Sequence, residues 1–359
     1  MAGRVLITSV SSFLGSSLAK ALEDSTDVSY IAGVDVGEPP AELERTEFIK
    51  ADIRNPLIRR VLASTEVDTV VHTGVLSTAS GLSGRVAQRE RNVIGTLQLL
   101  AACQRIEGLS KLVVRSSTAV YGIEPGAPSV LPESWSGNSH PEGGYFRDVV
   151  EAETYARDFA RRRPDVEVTV LRMANVIGPR AESNMTQFFS LPLVPTALGF
   201  DPRLQLIHED DAIEVLKKAV LESHPGVFNA AADGIMYLSQ AIRIARRLPL
   251  PILSPVARLV GDAFRAAGLV DFPQDQLSLL VHGRVVDNSR LKERFGYVPK
   301  YSTPEAFRNF VETRRQTTLG PSPIAQLEKG VYDLLVTAAS RASGRPEAPS
   351  DAADEVTLP

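Results

Sequence analysis

The chain has 359 residues, enough for one large or two modest domains, and its 43% hydrophobic and 23% charged residues are those of an ordinary globular protein. A formal net charge of −4 argues against broad nucleic-acid binding, which needs a basic surface. The single cysteine, Cys103, excludes an internal disulfide and is read as a small core residue.

The stretch Val5–Val10 is too short for the apolar core of a secretory signal and runs into serines. No apolar run reaches the roughly 18 residues of a membrane span. A cytoplasmic protein without a membrane span is expected.

Over the first two-thirds, short β-branched runs alternate with longer helical patterns. RVLITSV is strand-like, and Leu14, Leu18, Ala19 and Leu22 then fall on one helical face. VSYIAGVDV reads as a strand, IRRVLAS as a helix and VDTVVHTGV as a strand. NVIGTLQLLAACQRI reads as one helix, SKLVVRSS as a strand, 145–163 as a helix and VEVTVLRMA as a strand. Near-continuous apolar strands suit a parallel sheet covered on both faces, and repeated strand–helix–strand units imply a doubly wound α/β fold. In that architecture ligands bind beyond the carboxyl ends of the strands. From about 180 the pattern loosens into Pro-punctuated segments, the strand-like LQLIH, and helices near 210–222, 237–247, 254–267 and 304–314. A linker follows, then a stripe of Ile324, Leu327, Val331 and Leu335 that predicts an amphipathic helix over 323–341. The end, rich in Pro, acid and small residues, has a disordered composition.

Residues 8–15, TSVSSFLG, join the first strand to the first helix. A dinucleotide turn at this place uses three glycines: for an unusual backbone angle, for close approach of the pyrophosphate, and for helix–strand packing. Only the third, Gly15, is present, with Ser9 and Ser12 at the other two positions. Thr8, Ser9, Ser12, Phe13, Leu14 and Gly15 are the expected cofactor contacts. Asp35 closes the second strand 20 residues after Gly15, the spacing of an acid that accepts from the adenosine ribose hydroxyls. Its carboxylate would repel a 2′-phosphate, and Val36-Gly37 offers no Arg to receive one, so NAD is favoured over NADP.

Eight stretches in order carry a resemblance: VLITSVSSFLG, KADIRN, VVHTGV, NVIGT, VVRSSTAVYG, LRMANVIGPR, LIHEDDA and DNSRLKERFGYVPKY. Over roughly residues 3–315 the chain resembles the extended short-chain dehydrogenases/reductases, in their NAD-dependent sugar epimerase/dehydratase group. The resemblance implies a Rossmann-type sheet with a smaller mixed C-terminal substrate lobe. The expected organisation is a dinucleotide-binding domain over 1–180, an interleaved substrate lobe over 181–315, a linker and helix over 316–343, and a tail over 344–359. The resemblance also places Asp52, Ile53, Gly74 and Asn92 by the cofactor. It places Asn175 on the diphosphate of a nucleotide-sugar substrate, with Arg203 as a further phosphate contact one residue out of register. It implies a homodimer through the helices at about 86–105 and 145–163.

In that family a Ser or Thr, a Tyr and a Lys four residues after the Tyr carry the chemistry. Ser117 and Tyr145 match the first two, and Glu153 supports the register. Val149 stands at the Lys position, no lysine lies between Lys111 and Lys217, and Arg147, the nearest cation in the helix, points round its far side. Tyr121 is read as packing, Asp211 as the cap of the following helix, and His72 and His208 as strand ends. No His/Cys/Asp spacing points to a metal. Two readings stay open: an NAD-dependent enzyme acting by hydride transfer on a nucleotide sugar, and a catalytically lapsed binding, sensing or scaffold relative.

Overall fold

The computed structural model describes residues 3–40, 42–74, 84–122, 126–135, 144–191, 193–252 and 283–317. The predicted helices near 254–267 and 323–341, and the tail, lie outside them. Contacts group Met1–Arg315 into one unit, and residues 316–359 fall outside it.

The elements run β1 (Gly3–Thr8), α1 (Phe13–Glu23), β2 (Val28–Asp35), β3 (Thr46–Lys50), α2 (Ile58–Thr65), β4 (Thr69–His72), α3 (Gly84–Arg89), a π-helical turn (Glu90–Gly95) and α4 (Thr96–Cys103). They continue with β5 (Lys111–Ser117), a 3₁₀ turn (Thr118–Tyr121), α5 (Gly144–Arg162), β6 (Glu167–Met173), β7 (Asn175–Ile177), α6 (Asn184–Ser190), β8 (Leu193–Ala197), β9 (Arg203–Leu204) and β10 (Leu206–His208). α7 (Glu209–Leu221), β11 (Gly226–Ala230), β12 (Met236–Tyr237), α8 (Leu238–Ala245) and β13 (Leu248–Ile252) follow, then helices Ser289–Glu293 and Thr303–Thr317.

Seven strands form one parallel sheet in the order β11-β6-β5-β4-β1-β2-β3. The order reverses direction between β1 and β4, and that switch point is where a doubly wound sheet opens a crevice at its carboxyl edge. Alternation along each strand feeds two cores. Val5 and Ile7 of β1 join α1 and α7 on one face, while Leu6 joins α2, α4 and Phe159 of α5 on the other. Cys103 is fully buried in the second core, as its type predicts, and burial pushes its thiol up to about 12. A third core gathers Phe188, Phe189, Leu238 and Phe307 in the C-terminal region, beside the small pairings β10–β7, β12–β9 and β13–β8.

Two local departures from the sequence reading have physical causes. The stretch NVIGT begins inside a π-helical turn rather than a regular helix, and this turn buries Asn92 against α5. Asp211 does not cap α7: His208 occupies the N-cap and accepts from the Asp210 amide at 3.2 Å. Asp211 is buried in the first turn, where it accepts from the Tyr297 hydroxyl at 2.6 Å and the Lys300 amide at 2.8 Å, tying the segment after Ser289–Glu293 to α7.

Candidate active site

The turn of residues 8–15 keeps its shape without two of its glycines. Ser9 adopts φ +57°, the left-handed region a first glycine would occupy. Ser12 is the N-cap of α1; its hydroxyl accepts from the Gly15 amide at 3.2 Å and donates to the Ser9 carbonyl at 2.7 Å. Gly15 is indispensable, because a Cβ there would collide with the Ser9 carbonyl. Among the described residues the amides of Phe13 and Leu14 have no acceptor, so two donors of the first turn remain open. Open amides at a helix N-terminus, with its positive dipole end, suit an anion such as a pyrophosphate.

Beside the turn lies a cavity of about 310 Å³, lined by Ser9, Ser11, Ser12, Asp35, Asp52, Ile53, Arg54, Gly74 and Arg91 among others. One Asp35 carboxylate oxygen accepts from the Ser11 amide at 3.1 Å and from the Ser11 hydroxyl; the other accepts from the Val36 amide at 2.7 Å. Asp35 therefore locks the turn to the end of β2, and its remaining lone pairs are available to a ribose hydroxyl. Asp52 is held by Arg54 at 2.6 Å, and Arg54 reaches on to Glu90 at 2.8 Å. The Arg54 hydrogen bond holds the Asp52 carboxyl below its ordinary range. Val36-Gly37 offers no arginine beside Asp35 along the chain, but Arg54 and Arg91 line this cavity from more distant positions.

A second cavity, about 90 Å³, shares Ser12 with the first and is lined by Phe13, Leu14, Arg115, Ser117, Tyr145, Asn175 and Asn184 among others. Ser117 ends β5 and accepts the Ala119 amide at 3.1 Å, which leaves its hydroxyl proton free to donate. Tyr145, in the first turn of α5, packs with Ala119, Phe146, Val149 and Ala152. Val149 is 1% exposed in that cluster and does not line the cavity. Arg147 is tied to Glu151 at 2.8 Å, outside both cavities.

Tyr145 interacts electrostatically with two arginines of other elements. Burial holds the Arg115 guanidinium below its ordinary range, with Tyr145 opposing the shift. Burial pushes Arg284 down to about 10, again opposed by Tyr145 and then Tyr121. Arg284 donates to the Gly122 carbonyl at 3.1 Å and lies 4.9 Å over the Phe146 ring. The signal for Arg115 was in the sequence: it stands two residues before Ser117 in a strand, hence on the same face.

Two buried polar groups fix these elements. Glu153 of α5 accepts from Ser116 at 2.9 Å and pairs with Arg172 of β6 and with Arg157. Burial pushes the Glu153 carboxyl up, but Arg172 and Arg157 outweigh it and leave it below its ordinary range. Arg172 also donates at 2.9 Å to Tyr121, which donates at 2.7 Å to Asn229, so Tyr121 is structural. His72 ends β4, with Nδ1 2.8 Å from Thr8 Oγ1 and Nε2 2.8 Å from Thr96 Oγ1.

The predicted residues thus divide. Ser9, Ser12, Asp35, Asp52, Ile53 and Gly74 share the larger cavity, while Ser12, Phe13, Leu14, Ser117, Tyr145 and Asn175 share the smaller. Gly15 shapes the turn from behind. Thr8 is buried on His72, and Asn92 donates to Asp148 of α5 at 3.4 Å; neither lines a cavity. Arg203 donates to the Ser129 carbonyl at 3.0 Å and is absent from the lining around Asn175.

A sequence profile described as the NAD dependent epimerase/dehydratase family matches residues 5–231. An uncharacterized protein of Mycobacterium tuberculosis is 39% identical over 319 residues, covering 88% of this chain and 85% of its own length. A UDP-glucose 4-epimerase of Mycolicibacterium smegmatis is 25% identical, covering 86% of this chain and 97% of its own. Among solved structures, the UDP-glucose 4-epimerase of Thermotoga maritima with UDP-glucose superposes with a TM-score of 0.66 at 21% identity, over 88% of this chain and 99% of that one. A dTDP-glucose 4,6-dehydratase of Bacillus anthracis in complex with NAD gives 0.66 at 17% identity, over 88% and 98%.

Proposed function

This chain belongs to the NAD dependent epimerase/dehydratase family, and from that premise we propose that it binds NAD and acts on a nucleotide-diphosphate sugar by reversible hydride transfer. The observation that carries the reading is the pair of adjoining cavities that meet at Ser12: one holds Asp35 and the turn, the other Ser117, Tyr145 and Asn175. The residues present fit a dinucleotide. Gly15 permits the tight turn, the Phe13 and Leu14 amides are open to a pyrophosphate, and Asp35 is placed for the adenosine ribose. The carboxylate favours NAD over the 2′-phosphorylated form, and Arg54, which faces the same cavity, is already engaged by Asp52 and Glu90.

Bound there, the dinucleotide supplies the acceptor for a substrate hydride with its two electrons, and the donor that returns them. Tyr145 takes the proton that the same substrate hydroxyl releases and gives it back on re-reduction. Ser117 donates to the reacting oxygen, and Asn175 at the mouth contacts the substrate diphosphate. The neighbours named for UDP-glucose and for NAD support this assignment.

The test is calorimetry of NAD+, NADH and NADP+ on purified protein, followed by turnover of UDP-glucose and related nucleotide sugars. Submicromolar to micromolar NAD binding with turnover abolished by Tyr145→Phe is expected. Absence of NAD binding at millimolar concentration would sink the reading. Burial of Val149 where the family's Lys would stand favours one alternative, a nucleotide-binding relative without turnover; NAD binding with no turnover of any nucleotide sugar is its signature. We infer further a cytoplasmic homodimer pairing through the helices at about 86–105 and 145–163; Val86, Ile94 and Leu97 are exposed in the first of these stretches, and light scattering checks the state. No described helix is long and apolar enough to cross a membrane.

A further inference from the structure

We propose that Arg115 supplies the positive charge at the reacting oxygen that the family takes from a lysine at the position of Val149. The inference rests on the proposed hydride-transfer reading and names a residue that reading does not.

The geometry has three parts. Arg115 and Ser117 are two apart in β5, so their side chains leave the same face of the sheet. Both line the small cavity together with Tyr145 and Asn175, and both are only partly buried while Val114 and Ser116 between and before them are closed off. Tyr145 enters this cavity from α5, while Val149 one turn later is sealed in the apolar cluster behind it. The helix therefore offers no cation to the cavity and the strand does. Arg284 is the other guanidinium near Tyr145, but it does not line the cavity.

A guanidinium is suited to the task. It stays charged when buried, and its charge lies in a fork that can face a phenolate. In the proposed reaction the Tyr145 oxygen alternates between anion and neutral phenol as the substrate proton moves. A fixed cation on the cavity wall compensates that charge without reorganisation, in a site where electrostatic interactions are stronger than in water. The same charge has a consequence at the dinucleotide. It repels the pyridinium of NAD+ and leaves the neutral ring of NADH unaffected, so it weakens NAD+ relative to NADH.

That consequence gives a readout independent of turnover. The ratio of NAD+ to NADH dissociation constants is measured by calorimetry for the wild type, Arg115→Met, Arg115→Gln and Arg115→Lys, with melting temperature as the check on folding. The neutral variants are expected to shift the ratio at least about threefold in favour of NAD+, and Arg115→Lys to stay within that margin. With UDP-glucose as the probe substrate, kcat falls at least about tenfold in the neutral variants with KM little changed, and lysine rescues it. The glutamine variant keeps the comparison intact if methionine fails to fold. A ratio unchanged in a folded neutral variant, or a lysine variant as damaged as the neutral ones, overturns the role of Arg115 while leaving the dinucleotide site standing. A wild type that binds neither NAD+ nor NADH overturns the proposed function, and this inference with it.

Discussion

Ser12 Oγ accepts the Gly15 amide at 3.2 Å, so the residue that replaces a turn glycine is also the residue that caps α1. A hydroxyl N-cap is worth about 1 kcal/mol over alanine, whereas glycine at the same place costs only a few tenths. Ser12→Ala is therefore expected to lose about 1 kcal/mol in urea denaturation, and Ser12→Gly to stay within about 0.5 kcal/mol of the wild type. Equal losses for the two variants would show that the cap contributes nothing.

Ser9 presents the opposite case. At φ +57° a non-glycine residue is held in the left-handed region at a cost of about 1–2 kcal/mol. Glycine removes that cost but adds unfolded-state freedom, so Ser9→Gly should be neutral to about 1 kcal/mol stabilising. A β-branched residue resists this backbone angle, and Ser9→Val should be destabilising by more than about 1 kcal/mol. Thermal denaturation of the three proteins orders them Gly, Ser, Val; any other order contradicts the assigned strain.

These two serines show what the sequence could and could not convey. The order of strands and helices was legible because apolar periodicity records which faces are buried, and α1 buries Leu14, Leu18, Ala19 and Leu22 as that periodicity requires. Gly15 was legible because close helix–strand approach admits no other residue. Whether Ser9 and Ser12 would break the turn was not legible, since a motif counts glycines while the backbone responds to angles and caps. Arg115 belongs to a strand, two residues before Ser117, and a helical motif that counts four residues on from Tyr145 does not report it. Asp211 was assigned as a cap from its place before a helix, but its partners lie some ninety residues away, near Tyr297 and Lys300.

Glu153 and Arg172 are respectively 1% and 3% exposed, and breaking such a pair leaves a charge buried without its counterion. Glu153→Gln should cost about 3–5 kcal/mol, more than any surface pair in the molecule. Because this carboxyl titrates below its ordinary value in the folded chain, its contribution is complete above the unfolded pKa, near 4.5, and is lost as pH falls through the lower folded value. Chemical denaturation of wild type and variant at pH 7 measures the cost, and a difference under about 1 kcal/mol would contradict it.

His72 titrates in the other accessible range. Thr96 gives its hydroxyl proton to the Asn92 carbonyl at 2.6 Å, so His72 Nε2 donates to Thr96; in the neutral ring Nδ1 accepts from Thr8. Burial, reinforced by Arg115, pushes its pKa down to about 4 from an ordinary 6.5. Between those values the unfolded chain takes a proton that the fold refuses. The stabilisation is therefore complete above pH 6.5 and is lost as pH falls towards 4, a total of roughly 3 kcal/mol. The stability difference between wild type and His72→Gln should shrink steadily from pH 7 to pH 4.5; a difference independent of pH would mean that the ring is not held neutral.

Mutation can restore the family's lysine at Val149, but the site does not accept it. The Val149 side chain is buried with Ala119, Tyr145, Phe146 and Ala152. An ammonium placed there loses its hydration. Val149→Lys is therefore expected to destabilise the fold by about 3 kcal/mol or more, and Val149→Met, apolar and longer, by only about 1–2 kcal/mol. The lysine variant should also fail to raise turnover of UDP-glucose, because the charge it brings is already supplied from β5. A lysine variant that melts with the wild type and gains activity would show that α5 can still present a cation to the cavity, and that Arg115 has not taken over its place.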